Sequence, residues 1–143
     1  VHVPYKGGAP AIVDLMAGQV QVVFAPVSES IQQIKIGKLR ALAATTAARL
    51  DVFPDLPTVG DFVPGYEASG FAGIGAPRNT SPQIIAMLNA ELNRGLADSK
   101  IKARIVELGG TVMGGTSTQF GAILSEATKK WAKVIKFAGI TAD

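Results

Sequence analysis

Cysteine is absent from the 143 residues, and His2 is the only histidine. Disulfide scaffolds and thiolate or multi-histidine metal centres are therefore excluded, because the ligand atoms that would build them do not exist. The lack of cysteine fixes no compartment, since exported proteins that need no disulfide share it with cytosolic ones. Aromatic residues are only 6% of the chain, too sparse to interleave with basic side chains as base-stacking surfaces do. Long apolar runs are missing too. The two most hydrophobic stretches, 20–27 and 39–45, fall well short of the roughly 20 residues a membrane-spanning helix needs. No secretory leader pattern opens the sequence. Val1-His2-Val3-Pro4-Tyr5 reads instead as the middle of a strand, so the sequence is expected to be a fragment of a longer protein.

What is present is a chain long enough for one ordinary domain, or for part of a larger multi-lobed protein. Its net charge of +3 is uneven: residues 1–65 hold five Lys/Arg against five Asp/Glu, and residues 66–143 hold nine against six. Much of the excess is Lys129, Lys130, Lys133 and Lys136, near the end of a long helical pattern where cations complement the helix dipole and solvate the outer face. With no recognisable nucleic-acid module beside them, these lysines predict a solvated face rather than a nucleic-acid patch.

Short β-rich runs alternate with longer helical ones, which predicts an α/β protein with largely parallel strands. Strands are expected at 1–3, 20–24, 39–45 and 68–76, with a short strand or extended link at 111–113. A first helix carries the apolar residues Ala11, Ile12, Leu15 and Met16 and stops at Gly18; a second runs from about Ser28 to Ile36 and stops at Gly37. Prolines 54, 57 and 64 and glycines 60 and 65 punctuate a stretch where the chain is expected to cross between lobes. Ser81 caps a helix with Pro82 in its first turn, and Asp98 or Ser99 caps another that ends at Gly109-Gly110. Thr116 with Gln119 is a capping-box pattern. It opens a last helix whose apolar stripe, including Phe120, Ile123, Leu124, Trp131, Val134 and Ile135, is expected to be buried, with Trp131 as a packing anchor.

The best candidate site is Tyr5-Lys6-Gly7-Gly8-Ala9-Pro10, a glycine loop running from a strand into a helix. Such a junction aims unpaired backbone N–H groups and the positive end of a helix dipole at one point, which suits an anion. Ala9 offers no capping oxygen that would occupy those donors. The alternative is an ordinary strand-to-helix turn, and the spacing alone does not choose between them. Lys6 reads either as a partner for an anionic ligand or as a snorkelling surface side chain. The loop is neither a Walker loop nor a three-glycine dinucleotide fingerprint, so nucleotides are not expected, and nothing in the sequence calls for a cofactor or a metal.

A catalytic set is not apparent. Ser28 and Glu29 read as a helix cap and a first-turn acid. Asp14 reads as solvated, and His2 as a structural histidine.

The segments His2-Val3-Pro4-Tyr5-Lys6-Gly7-Gly8-Ala9-Pro10-Ala11, Asp14-Leu15-Met16-Ala17-Gly18-Gln19-Val20 and Ile34-Lys35-Ile36-Gly37-Lys38-Leu39-Arg40-Ala41-Leu42-Ala43 resemble the Bug-type substrate-binding receptors of tripartite tricarboxylate transporters. Pro54-Asp55-Leu56-Pro57-Thr58-Val59, Pro64-Gly65-Tyr66-Glu67, Leu88-Asn89-Ala90-Glu91 and Gly114-Gly115-Thr116 continue the resemblance in order, through Trp131 to Ala138-Gly139-Ile140. The long ordered series is more specific than any one motif.

The resemblance implies a periplasmic receptor, not an enzyme, in which two α/β lobes of the periplasmic-binding-protein type II kind surround a cleft for a small organic carboxylate. The receptor would deliver that ligand to transporter membrane subunits, with no nucleic-acid partner. Family members are about twice as long, so the resemblance implies a partial two-lobe fold lacking the N-terminal part of the first lobe. Residues 1–65 would be a second-lobe segment with the ligand loop and crossover, and residues 66–143 a C-terminal segment returning to the first lobe. By position, Tyr5, Lys6, Gly7, Gly8, Ala9 and Pro10 fall on the family's ligand loop. Ala25 and Pro26 fall on a second loop that often carries a polar residue beside the ligand, and Phe71 where a bulky aromatic is common. Because Ala25 offers no acid to an amino group, a plain carboxylate is favoured over an amino acid.

Two rivals remain at this point: an α/β enzyme whose catalytic residues lie outside this sequence, and a ligand-free module that oligomerises. Surfaces left bare by truncation are expected to favour homo-oligomers.

Overall fold

A computed structural model describes residues 1–141. Five α-helices form: α1 (Gly8–Met16), α2 (Val27–Lys35), α3 (Pro82–Ala97), α4 (Ser99–Glu107) and α5 (Ser117–Ala138), with a one-turn 3-10 helix at Val59–Asp61. The chain divides into two compact units. The first holds Val1–Ile74 and Lys100–Val112; the second holds 75–99 and the residues from Met113 onward.

The helices begin and end on the chemistry their sequences carry. Ser81 accepts from the Ile84 N–H at the start of α3, and Pro82 stands at its first position, where no N–H is needed. The Thr116–Gln119 capping box that opens α5 is complete in both directions. Gly18 and Gly37, both with positive φ, close α1 and α2: Gly18 N–H donates to Leu15, and Gln19 N–H reaches back to Asp14. That paired arrangement satisfies carbonyls the last turn leaves open.

α2 differs from its expected start. Its cap residue is Pro26, with no side-chain cap, and Ser28 stands exposed inside the first turn. His2 is likewise exposed rather than packed in a strand.

In the first unit α1 packs on α2 and buries Ala11, Ile12, Ser30 and Ile31. The end of α4 lies against the start of α2, because a Cβ at Gly109, itself at φ +79°, would overlap the Val27 side chain. A second small nucleus forms where Ala44 bridges Thr58 in parallel: Ala44 N–H donates to Pro57 O at 2.8 Å, and Val59 N–H donates to Ala44 O at 2.8 Å.

Thr58 is 4% exposed and caps the 3-10 turn. The Asp61 carboxylate accepts from the Thr58 N–H at 3.1 Å and from its hydroxyl at 3.0 Å, with Arg49 at 3.5 Å. The Thr58 N–H, then its hydroxyl, and more weakly Arg49 hold the Asp61 carboxyl below its ordinary range. A depressed carboxyl stabilises the fold above the unfolded-state pKa, near 3.9, and loses that contribution as pH falls through the lower folded value. Asp61→Asn is therefore expected to flatten the acid limb of a stability profile measured by urea unfolding, leaving less change below about pH 4 than in the unsubstituted protein.

The extended segments depart from the sequence reading. Apart from the Ala44–Thr58 bridge and a tight Leu50–Phe53 bridge, the described residues form no strand ladder. Residues 1–5, 20–26 and 68–76 run without regular structure, and the stretch 39–45 pairs only near its end, where Ala68 N–H also donates to Thr45 O at 2.8 Å.

In the second unit, Asn89 and Asn93, one turn apart on α3, both donate to Gly115 O at 2.9 Å, and Gly115 N–H returns a bond to Asn93 Oδ1 at 2.8 Å. That clamp fixes the link into α5. Among its described residues this unit buries no side chain. Trp131 is 39% exposed rather than a buried anchor, with the Lys130 ammonium 5.7 Å from its ring centre.

Candidate functional site

The glycine loop meets α1 as its residue types require. Gly7 is the cap residue at φ 142°, ψ 173°, backbone open to glycine alone, and supplies no side-chain cap. No acidic residue of α1 stands in its first turn. Gly8 and Ala9 are the first two helical residues, and Pro10, the third, has no N–H. The donors at this end are thus the amides of Gly7, Gly8 and Ala9, and no hydrogen bond among the described residues uses them. Ala9 and Pro10 are exposed and Gly8 half-buried, so the helix start is an open surface.

Tyr5 fixes the loop's approach. Its hydroxyl donates to Asp14 Oδ2 at 2.7 Å, tying the loop to the second turn of α1. Donation to Asp14, with some burial and the nearby negative charge, raises the Tyr5 pKa above its ordinary value. The phenol is therefore engaged inside the loop. Asp14, expected to be solvated, is half-buried and serves as its acceptor. Lys6 is exposed.

The side chain that sequence reasoning did not connect to this loop is Glu29. A Cβ built on Gly8 would overlap the Glu29 carboxylate, with Glu29 Cδ only 2.9 Å away. This acid from the first turn of α2 therefore sits against the first residue of α1. Pro26, the cap of α2, lies three residues before it. Phe71 lies in the extended stretch after Glu67 and is 42% exposed.

Two hollows of the first unit lie elsewhere. One of about 140 Å³ is lined by Thr46, Arg49, Asp51, Val106 and Thr111 among others, and a groove follows residues 52–57; neither touches the glycine loop. Chemically, the loop offers amide donors and the positive end of the α1 dipole to a carboxylate-sized anion. It holds no nucleophile–base pair. Among the described residues no cluster of His, Asp or Glu could hold a metal, and no helix is long and apolar enough to cross a membrane.

The sequence matches the family described as Tripartite tricarboxylate transporter family receptor over residues 1–140. Solved structures superpose closely. A Rhodopseudomonas palustris protein solved with adipate, Rpa4515, is 34% identical at a TM-score of 0.91, covering 97% of this chain and 47% of that one. The periplasmic binding protein BugD is 33% identical at a TM-score of 0.88, covering 99% and 48%. MatC of Rhodopseudomonas palustris, solved with bound malate, is 29% identical at 0.84, covering 93% and 47%. The chain thus spans about half the length of each of these neighbours, and 41–42% of most curated relatives it matches. Its fold is correspondingly a part of the periplasmic-binding-protein fold.

Proposed function

Because the chain belongs to the tripartite tricarboxylate transporter receptor family, a family of receptors and not of enzymes, we propose that it forms the ligand-loop portion of a periplasmic receptor for a small organic carboxylate. One observation carries the reading: the α1 start presents the amides of Gly7, Gly8 and Ala9 without a side-chain cap, on an open surface. A carboxylate placed there would take two or three charge-assisted bonds and the favourable end of the dipole. Neighbours of the same fold solved with adipate and with malate support a carboxylate as the guest.

In this reading Gly7, Gly8, Ala9 and Pro10 form the seat, Tyr5 positions it through Asp14, and Lys6 supplies long-range attraction. Ala25 and Pro26 form the adjacent rim, with Phe71 lining the cleft. Residues 1–65, all within the first compact unit, belong to the second lobe, and the chain from residue 66 makes the return to the first. The complete receptor hands its ligand to transporter membrane subunits and performs no chemistry on it.

A thermal-shift screen of mono-, di- and tricarboxylates on the gene's full-length product tests this. Stabilisation by at least one dicarboxylate, growing with concentration as binding to the native state requires, is the expected result. No shift with any carboxylate, or turnover of one, would overturn the assignment.

A further inference from the structure

Two short pairings orient the segment 39–45 within the first unit. Ala44 turns both its N–H and its carbonyl toward Pro57-Thr58-Val59, whereas the Thr45 carbonyl faces the other way and accepts from the Ala68 N–H at 2.8 Å. Exposure alternates on the approach to this point, with Arg40 and Leu42 exposed and Leu39, Ala41 and Ala43 half-buried, which is the period of an extended chain. Carried backward, the alternation turns the main-chain groups of Ala41 and Ala43 to the Thr45 side and those of Leu42 to the Thr58 side. The Thr58 side is closed to further pairing for a chemical reason. In a parallel pair the Leu42 carbonyl takes its bond from residue 57, and Pro57 has no N–H. A groove of about 650 Å³ lined by Leu42, Phe53, Pro54 and Pro57, among others, opens there instead. The Thr45 side has no such obstacle. Ala41 and Ala43 keep their main-chain donors and acceptors, and no hydrogen bond among the described residues uses them.

The main chain of 1–5 and 20–25 is in the same condition, and none of the three segments bonds to another. Each also shows apolar side chains to water: Val3 is 48% exposed, Val22 59%, Phe24 79% and Leu42 61%. Strands that are apolar on both faces belong to sheets covered on both faces, and an apolar strand with a bare edge invites a partner.

We propose that 1–5, 20–25 and 39–45 are non-adjacent strands of one sheet, and that the strands between them come from the part of the receptor outside residues 1–143, one of them running beside Ala41 and Ala43. Length favours this occupant. The neighbours solved with adipate and as BugD superpose on 97% and 99% of this chain, yet it makes up only 47% and 48% of them. Their further half has to lie against the same segments, whereas a second copy of this chain would bring only the same unpaired ones. The lobe that holds the glycine loop is then itself incomplete without the other half of the receptor.

Hydrogen exchange on the full-length gene product, followed by nuclear magnetic resonance, tests this. The amides of Ala41, Ala43 and residues 22–24 should exchange at least about 100-fold more slowly than in an unstructured chain, at every dilution. Couplings measured through the hydrogen bond should place the acceptor of the Ala43 N–H at a residue outside 1–143 of the same molecule. Unprotected amides, an acceptor within 1–143, or protection lost on dilution because a second molecule supplies the acceptor would each overturn the proposal. Carboxylate binding is not part of the readout, so its failure leaves the reading of the glycine loop standing.

Discussion

Gly8→Asp in the full-length receptor is expected to weaken carboxylate binding about 100-fold or more while leaving the protein folded. The backbone at Gly8 is helical and carries no positive φ, so an L-residue fits it without strain. An acid at the first helical position even complements the α1 dipole. What changes is the field at the seat. A fixed carboxylate would stand within a few ångströms of the guest's, and two unit charges about 4 Å apart repel by about 4 kcal/mol at an effective dielectric near 20. Even if solvent and side-chain rotation relieve a quarter of that, the remainder, about 3 kcal/mol, exceeds the 2.7 kcal/mol or so that separates affinities 100-fold apart.

The new side chain must also displace the Glu29 carboxylate, which raises the concern that bulk and not charge is responsible. Gly8→Asn has the same shape without the charge and should retain most of the binding that Gly8→Asp loses. Calorimetry on the pair, with a thermal melt to establish folding, decides the matter. Equal affinity in Gly8→Asp and the unsubstituted receptor would remove this loop from the binding site.

The helices of this chain were legible because their signals are local. Ser81 with Pro82, Thr116 with Gln119, and the glycines at 18, 37 and 109 each act within a few residues of themselves, and each forms the cap or stop its chemistry predicts. Strands are different in kind. The alternation in 68–76 and the apolar run 39–45 describe which residues avoid water, but a strand exists only as a pairing between segments. Among the described residues, the nearest approach to one is the Ala44–Thr58 bridge, whose partner is the Pro57-Thr58-Val59 turn and not another predicted strand.

The site divides along the same line. The open amides of Gly7, Gly8 and Ala9 followed from glycines before a helix, a property of six consecutive residues. Glu29 at Gly8 did not, because it depends on how α1 packs on α2 through Ile12 and Ile31. The available signal was indirect: a glycine at the first position of α1, and an acid at the third position of a helix whose cap residue is proline. Asp14 was misplaced for a related reason. Its partner, the Tyr5 hydroxyl, lies nine residues away across the glycine loop, a separation no helical period relates.

The largest physical effect should belong to the 143-residue polypeptide produced by itself. A compact monomer of 14.8 kDa exposes about 7,000 Å², whereas this chain exposes 11057 Å². The difference, about 4,000 Å², is on the scale that obligate interfaces bury. Much of it is apolar. Phe137 is 94% exposed, Phe24 79% and Ile135 46%, and α5 carries its whole stripe without burying one residue. Only six side chains in the chain are buried among those described, four of them apolar. So small a core cannot offset the cost of ordering this many residues, at roughly 1–2 kcal/mol each.

Alone, then, the polypeptide should cover those faces with further copies of itself. Light scattering should return a mass above 14.8 kDa that rises with concentration, with binding of an apolar dye that falls as the assemblies grow. Prolines at 54, 57, 64 and 77 and the lysines of α5 break up the bare surface, which favours defined small oligomers over fibrils. A compact monomer that survives dilution and excludes the dye would show instead that the chain closes its own apolar faces. In that case the exposed α5 stripe would have to pack within the same molecule, and near-ultraviolet dichroism of Trp131 would report it as an immobilised ring.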